Sequence, residues 1–138
     1  MSAFTGCLTI RELEPGRLWQ LVDPVRYEVG SKGSGAWIEV PSGFETDGAS
    51  IPTFARLFLA IWGTYGRAAV IHDLLYRLLA AGTPHQMAPT RRDADRVFRE
   101  AMAVLGTATA LRWAMWAAVR VGGGFALHRL RIRLRAAS

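Results

Sequence analysis

The 138-residue chain contains one cysteine, Cys7, so no intrachain disulfide can form and a thiolate metal cluster is excluded. It has no apolar run near the roughly 18–20 residues that a membrane span needs, and the closest approach, Leu57 to Trp62, is far too short. The opening MSAFTGCLTIRELE lacks a basic segment followed by an apolar run and a small-residue cleavage site. No secretory signal is therefore expected, and synthesis is assigned to the cytoplasm. Lysine is almost absent, since 16 of the 17 basic residues are arginine. Acid is absent altogether after Glu100: up to that point 11 basic residues balance 11 acidic ones, and Arg112, Arg120, Arg129, Arg131, Arg133 and Arg135 then supply the whole net charge of +6. A basic end on a neutral body suits an acidic partner such as lipid headgroups, nucleic acid or another subunit.

About half of the residues are hydrophobic, five of them tryptophan, enough to build a real core in one domain spanning 1–138. Residues 1–45 read as β. Short alternating runs at Cys7–Arg11, Leu18–Val22, Arg26–Val29 and Ala36–Val40 are separated by Pro15-Gly16, Asp23-Pro24 and the loop GSKGSG, all turn chemistry. A small antiparallel sheet or meander is the simple reading, with GSKGSG a hairpin tip and not a phosphate loop, whose spacing it lacks. From Pro52 onward the period becomes helical. Four helices are expected in region 46–121: Phe54–Trp62, Tyr65–Ala81, Arg91–Leu105 with Thr90 as N-cap, and Ala108–Val121. Gly122-Gly123-Gly124 is read as a break, after which a basic tail (122–138) permits a strand or an amphipathic helix. The fold class is therefore α+β, a small N-terminal antiparallel sheet followed by a four-helix half and a basic C-terminal tail.

The residues able to carry chemistry cluster in three places. His72 and Tyr76, four apart in the segment HDLLY, project from one apolar helix face, while Asp73 points about 100° away, toward Arg77. On the next helix Asp95 lies at the edge of an apolar stripe with Phe98 and Met102, where a carboxylate can orient a histidine and fix its tautomer. Asp95 can equally pair with Arg91, Arg92 or Arg99. The loop GFETDGASIP (Gly43–Pro52) offers Asp47 and carbonyl oxygens of the kind that hold a hard cation, though such loops also serve as structural turns. His72 with Asp47 and Asp73 could also hold zinc, but a ligating imidazole cannot act as a free base. His85 and His128 lack helical partners and are read as solvent-facing. Trp113 and Trp116, three apart, are read as core packing ahead of an interface.

The succession GFETDGASIP, HDLLY, RRDADRVFREAM and AVRVGG, from roughly Trp37 to Gly123, resembles the DUF1353 family of small phage and prophage proteins. HDLLY is also similar to the HD-x-x-Y signature of secreted phospholipases A2. That resemblance implies His72 as general base, Asp73 as a calcium ligand, Asp95 as the orienting acid 23 residues on, and Tyr76 as its hydrogen-bond donor; the residues themselves add Asp47 as a second candidate ligand and zinc as the alternative cation. Leu75 stands where that signature carries a cysteine, and TDGASIP replaces its glycine-rich loop. Two functions follow as expectations. One is a metal-assisted hydrolase of envelope lipid esters, with His72, Asp95 and Tyr76 as its catalytic set. The other is a non-catalytic virion, tail or assembly component that binds phage structural proteins through its helical face and basic tail. Anionic lipid fits the tail better than nucleic acid, for which no stacking platform or recognised motif is present. The hydrolase reading requires His72 to touch Asp95 and to open onto a cleft beside Asp47 and Asp73.

Overall fold

The computed structural model describes residues 3–5, 7–15, 18–30, 33–46 and 65–137. Six short strands, β1 (Ala3–Thr5), β2 (Ile10–Glu14), β3 (Leu18–Leu21), β4 (Val25–Glu28), β5 (Trp37–Val40) and β6 (Glu45–Thr46), precede three helices, α1 (Gly66–Ala80), α2 (Arg91–Val104) and α3 (Thr109–Ala137). The strands form two three-stranded antiparallel sheets, β1-β4-β5 and β2-β3-β6, in place of the single meander. β1 and β6 were not expected, being too short to show an alternating pattern. The second strand begins at Ile10 instead of Cys7.

The first sheet follows its alternation. In β4 and β5, Val25, Tyr27, Ile38 and Val40 are buried, and Tyr27 stands directly opposite Ile38. On the other face the opposed pair Arg26 and Glu39 closes a 2.7 Å ion pair, an exposed contact worth at most about 1 kcal/mol. β4 and β5, which flank the GSKGSG segment, pair antiparallel as expected of a hairpin. Gly33 has φ +88°, a left-handed conformation that side chains resist, and its N–H donates to the buried Glu28 carboxylate.

α1 packs against β4 and β5 and is followed by α2 and α3, each of which touches it. Ala68, Val70, Ile71 and Leu75 of α1 meet Val97, Phe98, Ala101 and Met102 of α2 in one core with Met115, Val119, Leu127 and Leu130 of α3. Thr90 caps α2 as its sequence position suggests. Its hydroxyl accepts from Asp93 N–H, and Asp93 reaches back to the Thr90 backbone, a reciprocal capping box. Thr90→Ala should cost about 1 kcal/mol in urea unfolding with an unchanged slope.

The helical half departs from expectation twice. The described residues contain three helices, not four; the expected helix Phe54–Trp62 lies outside them, as does the expected Gly43–Pro52 loop from Asp47 onward, whose earlier part holds β6. The triple glycine does not break the chain, because α3 runs straight through it and the basic tail is its second half. Glycine in a helix interior costs about 1 kcal/mol relative to alanine, but Leu127 and Leu130 beyond it are buried against the core. Tertiary burial outweighs local propensity here.

Candidate functional site

Three helices meet at one carboxylate. Asp95, on the buried face of α2, is fully enclosed, and His72 and Tyr76 from α1 both point at its Oδ1, with His72 Nε2 at 2.8 Å and the Tyr76 hydroxyl donating at 2.6 Å. Its other oxygen, Oδ2, accepts from Arg120 Nη1 of α3 at 2.8 Å, and Arg91 Nη1, one turn before it on α2, stands 3.6 Å away. A carboxylate that takes donors on both oxygens is acceptor-only, so the proton between His72 and Asp95 belongs to Nε2. In a neutral imidazole that leaves Nδ1 as the lone-pair nitrogen. Among the described residues Nδ1 has no hydrogen-bond partner, although it is buried. The imidazole packs at a tilt against two rings, Tyr76 at 4.2 Å and 43° and Phe98 at 4.7 Å and 33° between centroids and planes.

Burial pushes the Tyr76 phenol well above its ordinary range, and the adjoining Asp95 charge adds to this while Arg91 draws part of it back. Tyr76 is therefore a neutral donor that fixes Asp95.

α3 supplies a notch for this cluster. A Cβ placed on Gly123 would overlap the Tyr76 hydroxyl outright and lie 2.9 Å from Arg91 Nη1 and 3.1 Å from Tyr76 Cζ. The same gap lets Arg91 Nη1 donate to the helix carbonyls of Val119 at 3.2 Å and Arg120 at 3.1 Å. One guanidinium thus ties the first turn of α2 to the middle of α3.

The expected residues separate into those brought together and those not. His72, Tyr76 and Asp95 converge. Asp73 faces the other way, is nearly buried, and has Arg77 Nη2 3.6 Å from its Oδ2. Asp47 lies outside the described residues. Among the described residues no group of three His, Cys, Asp or Glu side chains is close enough to hold a cation, so they do not by themselves make a metal site. His72 is 0 % exposed, so the cleft required beside it is not present among the described residues. A surface groove of about 370 Å³, lined by Leu79–Gly82, Arg131, Leu134 and Arg135, includes none of the candidate residues.

His128 is exposed, as expected, whereas His85 is half-buried in the loop before α2, where its Nδ1 accepts from Met87 N–H at 3.0 Å. Burial lowers its affinity for a proton, partly offset by a hydrogen bond with the Trp37 backbone. Trp113 and Trp116 are not core: they meet edge-on at 5.4 Å, and Arg99 lies over both rings, 4.3 Å from Trp113.

Arg120 and Gly123 were missed as site residues, whereas Arg91 was expected as an alternative partner of Asp95 and stands 3.6 Å from its Oδ2. The available signal was Arg120 in the apolar run AAVRV, where a cation that turns inward needs a buried acid.

No curated protein and no solved structure matches the chain. The profile of the family described as "Protein of unknown function (DUF1353)" matches residues 19–119, which include His72, Tyr76, Arg91 and Asp95 and stop one residue short of Arg120. Covering most of the sequence, that match shows that the chain belongs to the DUF1353 family.

Proposed function

We propose that this chain is a His–Asp hydrolase of envelope lipid esters in which His72, fully enclosed in this state, becomes the general base only once its surroundings open to water, a phage-associated activity related in logic to phospholipase A2. The observation that carries the reading is the division of labour on the imidazole. Nε2 is anchored to Asp95 while Nδ1 has no hydrogen-bond partner among the described residues. Asp95, itself held by Tyr76 and Arg120, fixes the tautomer with the lone pair on Nδ1. In the reaction Nδ1 takes a proton from water, the resulting hydroxide adds to the ester carbonyl, and the imidazolium returns the proton to the departing alkoxide. Asp95 and Tyr76 act through His72 and are positioning residues. A divalent cation, calcium first and zinc second, would polarise the carbonyl. Asp73 is its candidate ligand among the described residues, and the remaining ligands would have to come from elsewhere, Asp47 included.

The second reading, a virion or assembly component without catalysis, is favoured by a different observation. His72 and Asp95 are both fully buried, and two guanidiniums share the Asp95 charge, an arrangement that suits a polar knot tying three helices together.

The two readings part on a direct assay, release of fatty acid from mixed phospholipid vesicles with calcium, with zinc and with chelator. The hydrolase reading expects calcium-dependent release that His72→Ala lowers by about 10²–10⁴-fold, with the circular dichroism spectrum retained. No release with any divalent cation leaves the assembly reading.

A further inference from the structure

α3 has two apolar faces, and only one is used. Met115, Val119, Gly123, Leu127 and Leu130 form its buried line. On the opposite side Ala114, Ala117, Val121, Phe125, His128 and Ile132 follow at steps of three and four, which align along a helix of 3.6 residues per turn. Their large apolar members stand in solvent: Val121 is 89 % exposed, Phe125 69 % and Ile132 53 %. Arg129 and Arg131 lie roughly a quarter-turn to either side of this stripe, and Arg129 sits 5.8 Å from the Phe125 ring.

We infer that the outer face of α3 binds the interface of an anionic lipid bilayer, with Phe125 and Ile132 entering the headgroup–acyl boundary and Arg129 and Arg131 on lipid phosphates. The charge pattern selects this occupant. Residues 101–138 contain six arginines and no acid, complementary to an anionic leaflet. A second copy of α3 would bring its arginine-flanked stripe against another. A nucleic-acid backbone offers phosphates but no apolar layer for Val121, Phe125 and Ile132. No helix among the described residues is long and apolar enough to cross a membrane, so α3 would lie on the surface. The inference shares its lipid chemistry with the proposed function and rests on that reading only for the source of the lipid; the binding face lies on the side of α3 away from Tyr76.

Co-sedimentation of the full chain with vesicles tests it. Vesicles of phosphatidylcholine and phosphatidylglycerol at 3:1 should bind at least tenfold more tightly than pure phosphatidylcholine, and high salt should weaken that binding. Phe125→Ser with Ile132→Ser should reduce binding tenfold or more at unchanged Tm, since both side chains are already exposed. Arg129→Gln with Arg131→Gln should reduce it by about 25-fold, at about fivefold per arginine. The His72→Ala protein should bind like the parent, so loss of hydrolysis and loss of binding can be told apart. Equal binding to neutral and anionic vesicles, or full binding by the Phe125/Ile132 variant, would overturn the inference. So would a dimer dissociated by Phe125→Ser, or tighter binding to duplex DNA than to the anionic vesicles.

Discussion

Asp95→Ala is expected to remove about 3–5 kcal/mol of folding stability, the usual consequence of deleting one partner of a buried charge cluster. The substitution strands four groups at once: Arg120 loses its 2.8 Å acceptor, Arg91 its 3.6 Å counter-charge, and the Tyr76 hydroxyl and His72 Nε2 their common oxygen. Tyr76 and His72 are fully buried and have no route to water without moving. Domains of this size have about 5–15 kcal/mol in all, so about a fifth or more of the total rests on one carboxylate. Tyr76→Phe, which removes one donor and leaves both guanidiniums paired, should cost far less, about 1–3 kcal/mol. Chemical unfolding of the two variants beside the parent measures both values. A loss below about 1 kcal/mol for Asp95→Ala would mean that the helices are held together by apolar packing and that the cluster is kept for another purpose.

The balance between those two purposes is set by geometry. A general base needs one imidazole nitrogen fixed and the other available, and His72 has the first half of that arrangement with an unpartnered Nδ1 among the described residues. It lacks exposure, so a water can reach Nδ1 only if a neighbouring side chain gives way. On the proposed reading the same atoms would serve stability in every state and chemistry only in an opened one. This is why the Asp95 variants are informative as unfolding experiments and the His72 variant as a hydrolysis experiment.

Much of this cluster was legible in the sequence because helical spacing is rigid. His72 and Tyr76 are one turn apart, so they must share a face, and a short connection lays the next helix alongside with Asp95 on its apolar edge. Thr90 was legible for the same reason, since a cap is a local device. The contribution of α3 was not. Nothing in the spacing of Arg120 says that it reaches a carboxylate 25 residues earlier, because that distance is set by how α3 lies across α1 and α2. The sheets were half legible: strands long enough to alternate were found, whereas β1 and β6, of three and two residues, exist only because β4 and β3 offer them an edge. The triple glycine was misread because propensity treats each glycine as a cost, and one of the three is a packing requirement.

Gly123→Ala is accordingly the sharpest test of how α3 sits. At an ordinary exposed helix position the change would stabilise by up to about 1 kcal/mol. Gly124 is that position, because nothing lies within 4 Å of a Cβ built there. At Gly123 the added methyl meets the Tyr76 hydroxyl, and the ring cannot swing aside without leaving Asp95 and its place against His72. Overpacking of this kind costs about 1–3 kcal/mol, and the lost bond to a charged acceptor adds about 1.5–3 kcal/mol. Set against the propensity gain, Gly123→Ala should be destabilising by about 2–4 kcal/mol while its neighbour is stabilising, a reversal of sign across one residue. Adding Tyr76→Phe removes the atom that collides, so the double variant should recover at least about 1 kcal/mol relative to additivity. Recovery would be partial, because the new Cβ still lies 3.1 Å from Tyr76 Cζ. If thermal unfolding showed both glycine substitutions raising Tm alike, α3 would not approach Tyr76 this closely, and the role of Arg120 at Asp95 would fall with it.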